Sequence, residues 1–383
     1  MLDRYLSDNM GRTKRVNILN DVNDSAARLD NSSDDTTVEL ELRSRSENTY
    51  DDDFCDFSRA EIYKQLRPLL ICMRIFGLYF KRTVGRNRKS KTECVALFCG
   101  LINLVMICNV IRSFSVYRVG DMFDAVLVQR VLFTIWSSEC ATKGLLLMWY
   151  CYKQNGLPQF FREWAVTCNN ARIGSLALTM MRKFIVLSVV FILFNSVGFT
   201  IIIMYVPVLG DIYHEVVWRH ADQFEDQLVF KIVLGIFAVL NSSFSMFPVS
   251  LYVVLTLAIS KQMKKFSNEL ETAISDNEFH GNIQELRLRH MNLCNMVGIL
   301  DRVFSPMIGA VFSANIPMFC LVLFTMVTSN NVHVSLVLIN LFWLSFILLQ
   351  MFIVSIAAAY VSVKVSVEKR PLFVFVLFCC YFP

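Results

Sequence analysis

From Val303 to Val363 the chain runs sixty-one residues without one Asp, Glu, Lys or Arg. Two helices of about 20 apolar residues each, laid across a lipid core about 30 Å thick, account for such a stretch. Ser329-Asn330-Asn331 interrupts it. Short polar side chains of this kind favour a turn over a continued helix. The stretch therefore predicts an antiparallel pair of membrane helices, 304–328 and 333–361. The rest of the chain must then obey the same solvent, in which only helices and closed barrels satisfy their backbones.

Four further apolar runs, 94–116, 131–152, 184–206 and 229–260, have helical length. Only 18% of the residues are charged and 55% are hydrophobic, whereas a soluble domain carries about a quarter charged residues. The fold class is an all-α polytopic membrane protein with six transmembrane helices. Loop charges orient it. The segments Lys81–Glu93, Lys153–Lys183 and Lys261–Arg302 hold seventeen Lys and Arg, and the alternate loops hold three: Arg118, Arg130 and Arg219. Basic loops stay in the cytosol, so the N-terminus is cytoplasmic and the protein is multi-pass in the plasma membrane. The cluster Lys81–Lys91 would suit nucleic acid, but beside a span it reads as this topological signal. No apolar leader opens the sequence, so the first span is expected to target the chain.

Four regions follow. Residues 1–58 form an acidic tail too poor in large apolar groups to fold, and are expected to be disordered. Residues 59–92 hold an amphipathic juxtamembrane helix and a basic linker. Its stripe Ile62, Leu66, Leu69, Met73, Phe76, Phe80 suits a helix lying in the cytosolic headgroup layer. Residues 93–363 form the bundle. Within it, 261–302 is a cytosolic helical hairpin. One arm carries Met263, Phe266, Leu270 and Ile274, and the other Leu286, Leu293, Val297, Leu300 and Phe304, with SDNEFHG between them. Each apolar stripe needs a cover, which the other arm or a second subunit would provide. Residues 364–383 are an atypical short tail.

No phosphate loop, zinc helix or nucleophile elbow occurs, so enzyme function is not expected. Nor is any cofactor, metal site or nucleic-acid partner. The five His lie in separate loops or at helix ends. Cys94, Cys99, Cys108, Cys151, Cys294 and Cys320 lie in or beside predicted helices and read as small apolar core residues rather than ligands or disulfides. The polar exception within the spans is Glu139 with Lys143, four apart on one helix face. Such a pair either neutralises itself in packing or marks a ligand pocket or ion path. Aromatic and amide groups crowd what the topology makes the outer halves of the helices. The candidate ligand-binding set is Trp136, Glu139, Lys143, Phe199, Tyr205, Asn241, Phe244 and Trp343. Aromatic walls with a few polar groups suit a small molecule. Any one of these aromatics could instead face lipid or pack. Asn241-Ser242-Ser243 is a glycosylation sequon inside a span and is discounted.

Several stretches resemble the insect gustatory receptors and the gustatory-receptor-like family of other invertebrates. LRPLLICMRIFGLYF is similar to the family's segment before its first span, and LPQFFREW to the start of its first inner loop. FPVSLYVVLTLAISKQMKKFSNEL resembles its fourth helix entering the cytosol. RLRHMNLCNMVGILDRVFSPMIGAVFSANIPMFC resembles its long fifth helix. The resemblance covers about residues 62–363. It implies a seven-helix chemoreceptor, N-terminus inside, acting as a ligand-gated cation channel. A tastant would bind in the outer half, and cytosolic helices would join a homo- or hetero-tetramer within membrane lipid. The family's seventh helix lines the pore and carries Thr-Tyr, five residues, then Gln-Phe. No match follows Val363; Leu372–Phe382 is eleven apolar residues, too short to span. The expectation is a truncated form that does not conduct alone. The alternative is a six-span secondary transporter or modulatory membrane subunit.

Overall fold

The structure is a computed structural model. It describes residues 61–80, 89–115, 117, 125–153, 156–168, 175–205, 228–275, 283–328, 337–338 and 340–359. All belong to one unit, Asp56–Pro383. The expected tail 1–58, most of the basic linker, the loop 206–227, residues 276–281 of SDNEFHG, Ser329-Asn330-Asn331 and the segment 364–383 lie outside the described residues.

The regular structure among the described residues is all helical. In chain order the helices are α1 Glu61–Ile75, α2 Lys89–Phe114, α3 Ala125–Tyr152, α4 Leu157–Thr167, α5 Ser175–Tyr205, α6 Leu228–Ser275 and α7 Ile283–Thr328, then α8 Asn340–Ala359. Five of them, α2, α5, α6, α7 and α8, contain stretches long and apolar enough to cross a membrane. The sixth expected span, α3, is 28 residues long. Glu139 and Lys143 lie in its middle, and they hide their charges by pairing rather than by leaving the bundle.

The helix α6 is the hub. In its most apolar stretch 89% of residues are buried, against 17% in α5 and 22% in α2, whose outer faces are left for lipid. Around it pack α5, α3, α7, α2 and α1; α3 also packs on α2 and α7. Serine lets these helices approach closely: Ser188 on α5 meets Ser250 on α6 at 2.8 Å between hydroxyl oxygens. Small polar residues often form such contacts between membrane helices.

The stripe on α1 requires a correction. Ile62, Leu66, Leu69 and Met73 are fully buried, and Phe80 nearly so. They do not lie open to the headgroup layer; they face α6 and α4. Tyr63 meets Phe161 edge-on at 5.8 Å, and Phe76 stacks on Phe247 at 5.6 Å. Protein covers the stripe because α4, with Leu157, Phe160, Phe161 and Trp164 buried, supplies an apolar surface of its own. Ile71 and Ile75, off the stripe, are the exposed apolar groups of α1.

Gly77 ends α1. Its φ is 71°. Leu78 N–H donates to Met73 O at 2.8 Å and Gly77 N–H to Arg74 O at 3.1 Å, the paired bonds of a Schellman stop. A Cβ here would sit 2.8 Å from Ile102 Cβ. Gly77→Ala is therefore expected to cost about 1–2 kcal/mol from the left-handed backbone alone. The contact with Ile102 adds to this. A lowered Tm of the purified protein in detergent checks it, and an unchanged Tm would refute it.

At 1.5 Å rise, α6 with 48 residues and α7 with 46 are each ~70 Å long, over twice the lipid core. Beyond the apolar core they remain paired: Arg289 Nη1 lies 2.6 Å from Glu269 Oε2. Phe266 packs on His290 with ring centres 5.6 Å apart. Met263, Phe266, Leu270, Leu293, Leu300 and Phe304 are buried, and α4 packs along α7. The stripes are thus covered by the other arm and by α4. Ile274 has no described side chain. The nine described cysteines are all free thiols. Cys99, Cys140, Cys151 and Cys168 are buried, while Cys94, Cys108 and Cys320 are exposed on helix surfaces instead of lying in the core. Burial pushes the Cys168 thiol up to about 11.

Candidate functional site

The helix α3 has two working faces. The first carries Trp136, Cys140, Lys143 and Leu147, all buried. Lys143 Nζ lies 2.7 Å from Glu139 Oε1 and donates to Ser245 O of α6 at 3.2 Å. Glu precedes Lys by four residues, the favourable order on a helix. Gln350 Nε2 of α8 approaches the same Glu139 Oε1 at 3.5 Å. One carboxylate oxygen thus gathers α3 and α8, and its Lys partner reaches α6. Glu139 Oε2 is buried without a hydrogen-bond partner among the described residues.

Further along this face, Trp136 meets Trp343 of α8 edge-on at 4.9 Å. The aromatic contacts continue from Trp343 to Phe346 at 6.2 Å, and from Phe346 to Phe191 of α5, stacked at 4.2 Å. Asn241 of α6 is buried, and its backbone O accepts from Cys140 Sγ at 3.2 Å. Among the described residues neither side-chain polar atom of Asn241 has a partner, nor has Trp136 Nε1. Next to it, Ser242 Oγ accepts from Asn195 Nδ2 of α5 at 2.7 Å. Phe244, one turn from Asn241, is fully buried beside Gly144.

Six of the eight sequence candidates are therefore placed by their side chains. Trp136 and Trp343 touch, Glu139 and Lys143 pair, and Asn241 and Phe244 face α3 from α6. Phe199 and Tyr205 lie in the last two turns of α5, and their side chains are outside the described residues.

The second face of α3 borders a cleft of about 470 Å³ against the end of α2 and the middle of α7. The α3 wall comprises Val131, Thr134, Ile135, Ser138, Glu139 and Thr142; Phe114 and Tyr117 close one end, and Ala310, Ser313 and Ala314 form the α7 side. Of the eight candidates only Glu139 reaches this wall. Sequence reasoning missed the cleft, although two signals were present. Thr134, Ser138 and Thr142 recur every four residues, and Ala310, Ser313 and Ala314 are small at helical spacing. Small residues on facing helices leave volume between them.

The profile of the 7tm chemosensory receptors matches residues 66–378. The chain belongs to the 7tm chemosensory receptor family. The match runs from α1 through α8 and includes both faces of α3. A chemosensory receptor of this family is a multi-pass membrane receptor and not an enzyme. Two solved structures share the fold. The insect olfactory receptor OR5 from Machilis hrabei in complex with eugenol is 14% identical, with a TM-score of 0.66, covering 79% of this chain and 81% of that one. A second structure of OR5 is 12% identical, with a TM-score of 0.63 and coverage of 80% and 82%. Among proteins of curated function none matches this receptor.

Proposed function

We propose that this chemosensory receptor is a gustatory-type subunit of a ligand-gated, non-selective cation channel. Its ligand is a small-molecule tastant held between α3, α5, α6 and α8. The observation that carries the reading is Asn241: it is almost wholly buried, and both side-chain polar atoms lack partners among the described residues. Buried amides normally satisfy their hydrogen bonds, so an amide with both polar atoms open fits a ligand contact. Trp136, Trp343 and Phe244 supply apolar wall, with Phe199 and Tyr205 further out on α5. Glu139 and Lys143 close the floor as a neutralised pair.

In this reading α3 crosses the plasma membrane as a sixth span, because pairing removes most of the cost of its two charges. The N-terminus is cytoplasmic. The hairpin 261–302 projects into the cytosol, where exposed Leu288 and Met291 on α7 offer apolar contacts to other subunits of a tetramer.

The test is current recorded from cells expressing the full chain and challenged with sucrose, quinine, caffeine and eugenol. The expected result is a dose-dependent cation current to at least one of them when the chain is co-expressed with a pore-bearing subunit of the same family, and no current from the chain alone. Asn241→Leu and Trp343→Ala are then expected to raise the half-maximal dose about tenfold or more at equal surface level, the loss of about one hydrogen bond or one aromatic contact. Ion-gradient-coupled flux of the same compounds without gated current would replace the channel with a transporter.

A further inference from the structure

We infer that the outward face of α1 binds an anionic phospholipid, with Arg67 and Arg74 on its phosphate and Ile71 and Ile75 against its acyl chains. The leaflet is the cytosolic one in the orientation proposed above, and the inference rests on that reading for the leaflet alone. Three observations carry it.

The first is the course of α1. The helix starts beside α4, where Tyr63 meets Phe161, and α4 packs along α7. Its other end is tied inside the bundle. Tyr79 O accepts from Cys99 Sγ at 3.7 Å, and Gly77 O from Asn103 Nδ2 at 3.3 Å. The apolar stretch of α2 begins at Glu93. At 1.5 Å per residue, Cys99 and Asn103 lie about 9 and 15 Å into it. Phe76 stacks on Phe247, and the apolar stretch of α6 begins at Gly235, about 18 Å before that ring. A lipid core is about 30 Å thick, so the end of α1 lies near its middle. Arg67 precedes Gly77 by ten residues, at most about 15 Å of helix. It stands no farther out than the headgroup layer, and Arg74 stands deeper.

The second is what α1 exposes at that level. Arg67, Pro68, Ile71, Arg74 and Ile75 are exposed, opposite the buried stripe Ile62, Leu66, Leu69 and Met73. Arg67, Ile71 and Arg74 follow one another at four and three residues and share one face. A face turned to water would explain Arg67 alone. It would not explain Ile75, 62% exposed beside Arg74 at the end tied into the bundle. A cation at this depth is costly without a counter-charge, and the long stem of Arg lets its head reach the phosphate layer while the stem stays in the chains.

The third is charge. Neither Arg67 nor Arg74 pairs with an acidic side chain among the described residues. From Ile62 to Phe80 the sequence has no Asp or Glu, and Lys81–Lys91 then adds more positive charge. The guanidinium fork matches phosphate oxygens. A zwitterionic headgroup brings its own cation and leaves this face uncompensated, whereas an anionic one neutralises it.

The experiment titrates the purified full chain in neutral detergent with dioctanoyl phosphatidylserine or dioctanoyl phosphatidylcholine and counts bound lipid by native mass spectrometry. The serine lipid is expected to bind saturably, and the choline lipid about tenfold more weakly or worse. Arg67→Gln with Arg74→Gln is expected to weaken the serine lipid about tenfold or more. If that variant folds poorly, Arg67→Lys with Arg74→Lys keeps the charge and is expected to lose about threefold, since an ammonium meets phosphate as a point charge; unchanged binding there would overturn the inference. Lys264→Gln with Arg287→Gln removes the same charge from exposed positions on the arms of α6 and α7 and is expected to leave binding unchanged. Equal binding of the two lipids, or equal loss in the two Gln variants, would reduce the effect to overall charge and refute the site. A change of subunit number in the Arg67→Gln, Arg74→Gln protein would give the face to a second copy of the chain instead. No tastant enters these measurements, so failure of the tastant reading leaves their outcome intact.

Discussion

Lys143→Met is expected to cost this receptor about 3–5 kcal/mol, because it strands a carboxylate in a water-free interior. Both side chains of the pair are wholly inaccessible, and Glu139 has nothing else of opposite charge bonded to it among the described residues. Gln350 at 3.5 Å gives only a marginal hydrogen bond. Glu139→Gln is expected to be comparably damaging, since it leaves Lys143 buried with only Ser245 O and a neutral amide. A loss of this size is a large share of the usual margin of a folded domain, so surface level and detergent-extracted yield should fall sharply. The double variant Glu139→Leu with Lys143→Met replaces both charges by apolar groups of similar bulk. It is expected to recover most of the yield, because removing a whole buried pair is often nearly neutral. The coupling read from the four proteins by Tm would then be large. Single variants that fold like the parent would mean that water reaches the pair, and the enclosed floor of the proposed tastant site would be wrong. A folded double variant that still gates at the parent dose would place the pair in packing and not in sensing.

This pair also shows how far the sequence carries. Its four-residue spacing within an apolar run is visible in the chain, and the structure closes it at 2.7 Å. The same holds for the α1 stripe, whose residues are those buried, and for the arms of α6 and α7, whose stripes meet. What covers a stripe is less visible. Ile62, Leu66, Leu69 and Met73 have the same periodicity whether lipid or α4 lies opposite, since both are apolar. For a similar reason α6 does not announce itself as the hub: in lipid, a helix facing protein and one facing acyl chains can have equal hydropathy. The cleft at α7 was hidden because it depends on what is small on two helices distant in sequence. Cys94, Cys108 and Cys320 turned outward because lipid accepts a thiol as readily as a core does.

Gly144→Val is expected to produce the second large effect, and here the sign of a glycine substitution depends on the opposite helix. A Cβ on Gly144 would overlap the Phe244 ring of α6 and come within 2.5 Å of Asn103 Oδ1 of α2. Phe244 is fully buried and has no open direction for retreat. Asn103 is held by bonds from its Nδ2 to Cys99 O at 2.8 Å and Gly77 O at 3.3 Å. Overpacking at such a point costs about 1–3 kcal/mol, and Val adds the burden of β-branching in a helix. Because Phe244 lies one turn from Asn241, the displacement enters the proposed tastant site, and the half-maximal dose should shift about tenfold in the protein that remains folded. Gly100 lies on α2, which Gly144 approaches, yet a Cβ there meets nothing within 4 Å. Gly100→Ala is expected to raise stability by about 0.5–1 kcal/mol, the ordinary gain of replacing a helical glycine. Tm values that move in opposite directions for the two sites would confirm that α3 meets α2 and α6 at Gly144. A rise for both would mean that Phe244 has room to yield, and that the contact is looser than its geometry implies.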